Sequence, residues 1–266
     1  MNTITDVEFG HFQRFIFDAA GITLSSAKKA LVTGRLAKRL QACNLRSYSE
    51  YFKLLSSGSA PAEVQNAVDL LTTNETYFFR EPKHFELLRQ IAQRSAGGSQ
   101  PFRVWSAASS SGEEAYSIAM VLADTLGDGP WDVMGSDIST RVLERARTGH
   151  YPMERTRHIP EAYLKRFCLR GMDEQQGTLL VSRALRSRVS FTQINLNTSL
   201  PRLASFDMVF LRNVMIYFNG ETKRQVVARI VSTLKPGGHL CIGHSESLND
   251  INPGLLQVAP SIYRKP

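Results

Sequence analysis

Phe102-Arg103-Val104-Trp105-Ser106-Ala107 runs directly into Ala108-Ser109-Ser110-Ser111-Gly112-Glu113-Glu114, and this stretch decides the fold. The first part is rich in aromatic and branched residues and reads as a strand. Small residues follow, and Gly112 to Leu126 reads as a helix. Trp131-Asp132-Val133-Met134-Gly135-Ser136-Asp137 is a second strand, and Ser139 is expected to cap a helix through Arg147. Strands alternating with helices argue for a parallel sheet covered on both faces. Further strands are expected at Val189 to Ile194, Phe206 to Leu211 and His239 to Gly243. A helix from Glu221 to Leu234 is stopped by Lys235-Pro236-Gly237-Gly238. The segment from Tyr151 to Arg188 is too long for a simple connection and predicts a helix with a small β-hairpin inserted in the sheet domain.

Open α/β sheets bind ligands at the carboxyl ends of their strands, and small residues there let the backbone come close. Asp137 ends the second strand, placed to accept hydrogen bonds from two ribose hydroxyls. This order is shared by dinucleotide and S-adenosylmethionine folds. A pyrophosphate calls for bare backbone N–H groups at the helix start, whereas Glu113 and Glu114 add negative charge there. The amino and sulfonium groups of S-adenosylmethionine tolerate or use a carboxylate. One glutamate can serve the helix dipole while the other binds. Ile194-Asn195-Leu196 closes the third strand, where an Asn or a backbone amide can read an adenine edge and Leu196 can cover its face. Arg212 and Asn213 leave the fourth strand at the methionine end, with Tyr217 on the following turn. The competing reading makes Val214, Ile216 and Phe218 core and Tyr217 a buried phenol.

Upstream lies Thr72-Thr73-Asn74-Glu75-Thr76-Tyr77-Phe78-Phe79-Arg80-Glu81-Pro82. As a lid it would pack its rings inward and turn Asn74, Thr76 and Arg80 to a ligand; as a connector it would be an Asn turn with aromatic plugs. Residues 1 to 72 show helical spacing only: Phe9, Phe12 and Ile16; Val32, Leu36, Leu40 and Cys43; Val64, Ala67, Val68 and Leu71. These predict a small helical bundle. Lys28, Arg35 and Arg39 share one stripe of its second helix, which Arg46 extends only if Asn44 does not cap that helix. His84 to Arg94 reads as a helix ended by Ala96-Gly97-Gly98-Ser99.

Net charge is +8. No acid occurs from Gly21 to Ser49, and basic residues also exceed acidic ones between Arg145 and Arg188, so an acidic partner is expected. No apolar run approaches the roughly 20 residues of a membrane helix. The start, Met1-Asn2-Thr3-Ile4-Thr5-Asp6, lacks a basic region followed by an apolar one, and a cytoplasmic location is expected. Cys43, Cys168 and Cys241 are too few and too scattered for a disulfide framework or a Cys-rich metal site. His11, His84, His150, His158, His239 and His244 show no paired ligand spacing. A metal-free mechanism is the expectation.

The chain resembles the bacterial chemotaxis protein-glutamate O-methyltransferases of the CheR type over essentially its whole length. The resemblance rests on N-E-T-Y-F-F-R-E at Asn74 to Glu81, R-V-W-S-A-A-S-S-S-G-E-E-A-Y-S-I-A at Arg103 to Ala119, S-D-I at Ser136 to Ile138 and R-N-V-M-I-Y-F at Arg212 to Phe218. L-K-P-G-G at Leu234 to Gly238 and G-H-S-E at Gly243 to Glu246 complete it. It implies an N-terminal helical receptor-docking domain (1–72), a linker with a lid and helix (73–99), and a Rossmann-like S-adenosylmethionine-dependent methyltransferase domain (100–266). A small antiparallel β-subdomain is inserted in the last at about 151–188. It implies cofactor contacts by Asn74, Thr76, Arg80, one loop glutamate (Glu114 is the choice), Asp137, Asn195, Leu196, Arg212 and Asn213. Family members methylate glutamates on the cytoplasmic helices of chemoreceptors, leaving S-adenosylhomocysteine. A monomer working without nucleic acid or membrane insertion is expected. In some members the β-subdomain grips a peptide at the receptor's C-terminus; the loop Gly171-Met172-Asp173-Glu174-Gln175-Gln176-Gly177 leaves open whether this one does.

A glutamate side chain has a pKa of about 4.3, so the attacking carboxylate is already ionised and needs no general base. Arg80 and Tyr217 are then the expected catalytic residues, aligning carboxylate and methyl donor, and Lys28, Arg35 and Arg39 are expected to dock the acidic receptor helix. Two other readings remain open: a nucleic-acid methyltransferase, for which Arg212-Asn213-Val214-Met215 is not the usual Asn/Asp-Pro-Pro-aromatic motif, and a non-catalytic adaptor that senses the cofactor.

Overall fold

The computed structural model describes residues 3–251 and 254–266. Met1 and Asn2, on which the expectation of no basic-then-apolar start partly rests, lie outside the described residues. Four helices come first: α1 (Asp6–Ala20), α2 (Lys29–Ala42), α3 (Tyr48–Ser56) and α4 (Pro61–Leu71). The N-terminus of α1 is held by a reciprocal box. Thr5 Oγ1 accepts the Glu8 N–H at 3.2 Å and Glu8 Oε2 accepts the Thr5 N–H at 2.9 Å, worth about 1 kcal/mol. Phe9, Phe12, Ile16, Val32, Leu36, Tyr51, Ala67 and Leu71 close one apolar core, which is the bundle that the helical spacing predicts.

The rest of the chain is built on a sheet. In order come α5 (Lys83–Arg94), β1 (Phe102–Ser106), α6 (Glu113–Leu126), β2 (Trp131–Asp137), α7 (Thr140–Thr148), β3 (His150–Pro152), α8 (Glu161–Phe167), β4 (Cys168–Arg170), β5 (Thr178–Val181) and α9 (Arg183–Arg186). Then follow β6 (Val189–Gln193), β7 (Phe206–Leu211), α10 (Gly220–Thr233), β8 (Leu234–Ile242), β9 (Leu256–Ala259) and β10 (Ile262–Arg264). The main sheet has seven strands in the order β6-β2-β1-β7-β8-β10-β9. The strands from β6 to β8 run parallel, but β10 pairs antiparallel with β8 and β9 with β10. The all-parallel expectation is therefore corrected to a mixed sheet. Both antiparallel strands are short, and Leu256 and Val258 of the edge strand β9 are exposed, so they carry little of the continuous apolar signal of a buried parallel strand.

The insertion is a three-stranded antiparallel sheet, β3-β5-β4, not only a hairpin. Its extra strand is short and begins at His150, with α8 interposed before its partners. The helix expected behind Ser139 is α7, but the Ser139 hydroxyl makes no capping bond. Asp69 at the end of α4 does that work, accepting Thr140 N–H at 3.0 Å, Thr140 Oγ1 at 2.8 Å and Arg141 N–H at 3.2 Å. A capping carboxylate from another domain fixes the helical bundle onto the sheet. The backbone bridge between Ile22 and Phe218 and the bond from Thr23 N–H to Tyr217 O at 2.8 Å fix it a second time. Among the described residues no helix is long and apolar enough to cross a membrane.

Candidate active site

Adjacent strands β1 and β7 send their connections to opposite sides, and a crevice opens at their carboxyl ends, as expected at a topological switch point. The cleft there is open to solvent and spans about 820 Å³ of space between protein atoms, part of it bulk solvent. Its wall includes Asn74, Thr76, Arg80, Glu114, Asp137, Asn195, Leu196, Arg212, Asn213 and Tyr217, so the fold brings to one place the ten residues expected to bind the cofactor or act in transfer; Lys28, Arg35 and Arg39 do not line it. Ala20 and Ile22 also line it; the helical bundle supplies part of the wall. Nothing in the sequence marks those two, because they are ordinary apolar residues whose role comes only from docking.

The loop after β1 turns into α6 through Gly112 at φ 96°. A Cβ there would meet Ala146 Cβ and the Tyr151 hydroxyl, each at 2.9 Å, so glycine is required by both conformation and space. The turn separates the two loop glutamates. Glu113 is fully buried away from the cleft, paired with Arg155 at 2.6 Å and accepting from Ser111 Oγ at 2.7 Å. Glu114 lines the cleft, accepting from Ser106 Oγ at 2.6 Å and from Arg212 Nη1 at 2.9 Å. Burial pushes the Glu114 carboxyl up, against the pull of Arg212.

Asp137 closes β2. Its carboxylate accepts Ser110 N–H and Ser139 N–H, each at 3.0 Å. Burial outweighs those bonds and pushes its pKa up to about 6. Arg212 is the most enclosed charge of the site, its side chain 1% exposed. It bridges Glu81 at 3.1 Å and Glu114 at 2.9 Å, donates to the Arg80 carbonyl, and lies over the rings of Phe85 and Phe210. Burial works to raise Glu81, but Arg212 and the His244 N–H hold it below its ordinary value. Glu81 is not among the expected site residues; its adjacency to Arg80 is the available signal.

The turn after β7 is pinned by Glu246, which accepts N–H groups from Gly243 at 2.7 Å, Asn213 at 2.9 Å and Ile216 at 3.2 Å. A Cβ at Gly243 would lie 2.5 Å from Asn213 Nδ2. Asn213 at φ 56°, Phe79 at 54°, Glu81 at 58° and Ser110 at 48° are all left-handed non-glycine residues around the cleft. Such conformations cost of order 1 kcal/mol or more each and concentrate where a site is held in one shape.

The lid expectation is corrected in part. Phe78 is buried against Tyr151 and Phe79 packs on Phe85, but Tyr77 is 38% exposed, its ring against His158 and under Arg80. Only two of the three aromatics plug the core. The Asn195 side chain is already engaged, donating to the Ala19 carbonyl at 2.7 Å and accepting Asn197 N–H at 2.9 Å. Tyr217 is half-buried in the cleft wall.

The basic stripe is also different from its expectation. Lys28 lies in a 3-10 turn before α2. Asn44, at φ 54°, follows the end of α2, so Arg46 is not on that helix. Arg39 faces α4, with Nη2 on Glu63 at 2.5 Å and Nε at 2.8 Å. Arg35 donates to the carbonyls of Leu71 at 3.2 Å and Thr72 at 3.1 Å, and to Thr73 Oγ1. An i, i+4 count assigns residues to a face without saying whether that face meets solvent or a neighbouring helix.

Residues 7–72 match the all-alpha domain of CheR methyltransferases, and residues 74–263 match the CheR methyltransferase SAM-binding domain. The chain belongs to the CheR methyltransferase family. It is 42% identical over 263 residues to the chemotaxis protein methyltransferase of Escherichia coli (strain K12), covering 98% of this chain and 91% of that protein. It is 41% identical to chemotaxis protein methyltransferase 2 of Pseudomonas aeruginosa, covering 97% of this chain and 93% of that protein. This CheR-family chain is an S-adenosylmethionine-dependent methyltransferase. The cleft fits that cofactor: it presents the Glu114 carboxylate at the start of α6, where a phosphate-binding loop would present bare amides, and the Asp137 carboxylate at the end of β2, where a ribose would lie.

Proposed function

We propose that this methyltransferase esterifies glutamate side chains on the cytoplasmic helices of chemoreceptors in chemotactic adaptation. The observation that carries the reading is Arg80 at the cleft, half-buried, its guanidinium bonded only weakly to the Glu75 carbonyl at 3.3 Å. Among the described residues it makes no ion pair, and its guanidinium lies over the Tyr77 ring, 5.6 Å from the centroid. S-adenosylmethionine, when bound, supplies an electrophilic methyl group on a sulfonium. Asp137 is assigned the ribose hydroxyls, Glu114 with Arg212 and Asn213 the amino-acid end, Leu196 the adenine face, and Asn74 and Thr76 the lid side. Because the Asn195 side chain is engaged with α1, its contribution to adenine is assigned to backbone and position.

The acceptor carboxylate is ionised at neutral pH, so no side chain of this site has to take a proton from it. Arg80 orients the carboxylate through paired N–H donors, and Tyr217 borders the same approach. Holding two reactants in line contributes up to about 7–11 kcal/mol to a transfer of this kind. Phe78 and Phe79 anchor the lid, keeping Arg80 in register with Arg212 through the Arg80 carbonyl.

Asp137 gives a pH signature. With its pKa near 6, the carboxylate is ionised above and protonated below, and only the ionised form accepts from both hydroxyls. Cofactor affinity is expected to be flat above pH 7 and to fall about tenfold from pH 7 to pH 5. Calorimetric titration checks this; in Asp137→Asn affinity is low throughout and that pH step disappears. An unchanged step in the variant removes Asp137 from the assignment.

Receptor docking is assigned to the basic face around α2, where Lys28 and Lys38 are exposed. Lys28, Arg35 and Arg39 are retained in it, with Arg35 and Arg39 doubling as internal ties. Reversing Arg39 would break its pair with Glu63, so the informative variant is Lys28→Glu with Lys38→Glu. Its rate on receptor fragments is expected to fall about tenfold at low salt, with cofactor affinity unchanged; an unchanged rate refutes docking on this face. Incubation with labelled S-adenosylmethionine separates the functional alternatives. Base-labile label on receptor protein supports the ester, stable label on nucleic acid overturns it, and binding without transfer indicates an adaptor.

A further inference from the structure

Beside Arg212, outside the lining of the cleft, Glu81, His84 and His244 bring one ligand atom each to within 4.8 Å of one another. His84 Nδ1 is 3.5 Å and His244 Nε2 is 3.8 Å from the same oxygen, Glu81 Oε2. A tetrahedral ion bound at about 2.0–2.1 Å spaces its donors by roughly 3.3 Å. Two edges of the triangle are thus already within about half an ångström of that spacing. The third edge is at most 4.8 Å, and the His244 side chain is 51% exposed, so its ring has room to adjust.

Two further observations point to a ligand. The His84 side chain is fully buried, and neither ring nitrogen has a hydrogen-bond partner. Each buried polar atom left in that state costs about 1–3 kcal/mol, and a metal–nitrogen bond would satisfy one. The charges are also unbalanced. Glu81 and Glu114 share the single Arg212 guanidinium, which leaves one carboxylate charge in excess. Arg212 is already neutralised by Glu114, so it can remain as the outer hydrogen-bond partner of Glu81, the arrangement usual for a carboxylate that binds a metal.

We propose that Glu81, His84 and His244 form a binding site for a borderline divalent cation of the zinc class, separate from the methyl-transfer chemistry. Two imidazoles with one carboxylate favour zinc, cobalt or nickel over magnesium or calcium, which take oxygen ligands. The exposed side of His244 is the entry path, and a fourth position is left for water. Sequence spacing hides the site because His244 arrives from beyond the end of β8, remote from Glu81 and His84.

The test is a titration of the full-length, tag-free protein with cobalt(II), followed by visible absorption. The expected result is about one equivalent bound with the intense bands of four-coordinate cobalt and no sulfur charge-transfer band, displaced by zinc and not by magnesium. His244→Ala keeps the backbone N–H that donates to Glu81 at 3.2 Å and is expected to lose the bands while still binding S-adenosylmethionine. His244→Gln, which preserves bulk, is expected to behave alike. Absence of the bands in the parent protein, or equal bands in both variants, overturns the site; the latter would mean cobalt held elsewhere, as by Cys43 or Cys168.

Discussion

Replacing Arg212 by methionine is expected to lower the free energy of unfolding by about 3–5 kcal/mol and to abolish measurable cofactor binding. The magnitude is that of breaking a buried ion pair from one side. Glu81 and Glu114 are largely enclosed, their side chains 11% and 12% exposed, and without the arginine two mostly buried carboxylates are left without their shared cation. Methionine fills the space between Phe85 and Phe210 but offers neither charge nor donors. The Arg80 carbonyl also loses its donor, so the lid is released together with the pair. The unpaired carboxylates should take up protons more readily, so the loss is expected to be greatest at neutral pH and to shrink as the pH falls. Urea unfolding of the two proteins at two pH values checks both points. A loss below about 1 kcal/mol would mean that Arg212 is not the centre of this network.

Arg80→Ala is expected to act in the opposite way, on rate and not on stability. Arg80 is half-buried, and its side-chain hydrogen bond is the long one to the Glu75 carbonyl, so little of the fold depends on it. If it aligns the acceptor carboxylate, its removal should lower turnover by about 10²–10³-fold, the usual cost of losing one positioned electrostatic contact. Cofactor affinity should change little, because Glu114, Arg212 and Asp137 remain in place. The comparison requires single-turnover rates beside calorimetric affinities. An arginine that bound the carboxylate equally in ground and transition states would raise KM on removal and leave kcat unchanged. Equal losses in turnover and cofactor affinity would contradict the aligning role.

Much of this site is legible in the chain because strand ends and loops announce themselves. Arg212 and Asn213 follow an apolar run, Asp137 ends a strand and Glu114 opens a helix behind a run of small residues, and polar residues at such points stand where an open sheet meets its ligand. The lid is half legible. Its polar residues are found in the cleft wall, but Tyr77 looks identical in sequence to its buried neighbours and differs only in what packs over it. Long-range polar partners are the illegible class. Asp69 caps a helix 71 residues away from it, Asn195 reaches back 176 residues to Ala19, and Arg39 turns inward to Glu63. None of these pairings leaves a local pattern, since each depends on how the helical bundle docks. The antiparallel pair β9 and β10 is missed for a related reason: β10 is only three residues long and β9 is largely exposed, so both depend on pairing with their neighbours and neither carries a long apolar run of its own.

Site-resolved mass spectrometry of a chemoreceptor cytoplasmic fragment, after incubation with this enzyme and S-adenosylmethionine, decides whether the methyl acceptor is a glutamate carboxylate. The expected result is one added methyl mass on individual glutamate side chains, removed by mild base, absent when those glutamates are replaced by glutamine, and strongly reduced with Arg80→Ala. Methyl mass on lysine, arginine or a terminus, stable to base, would contradict glutamate esterification.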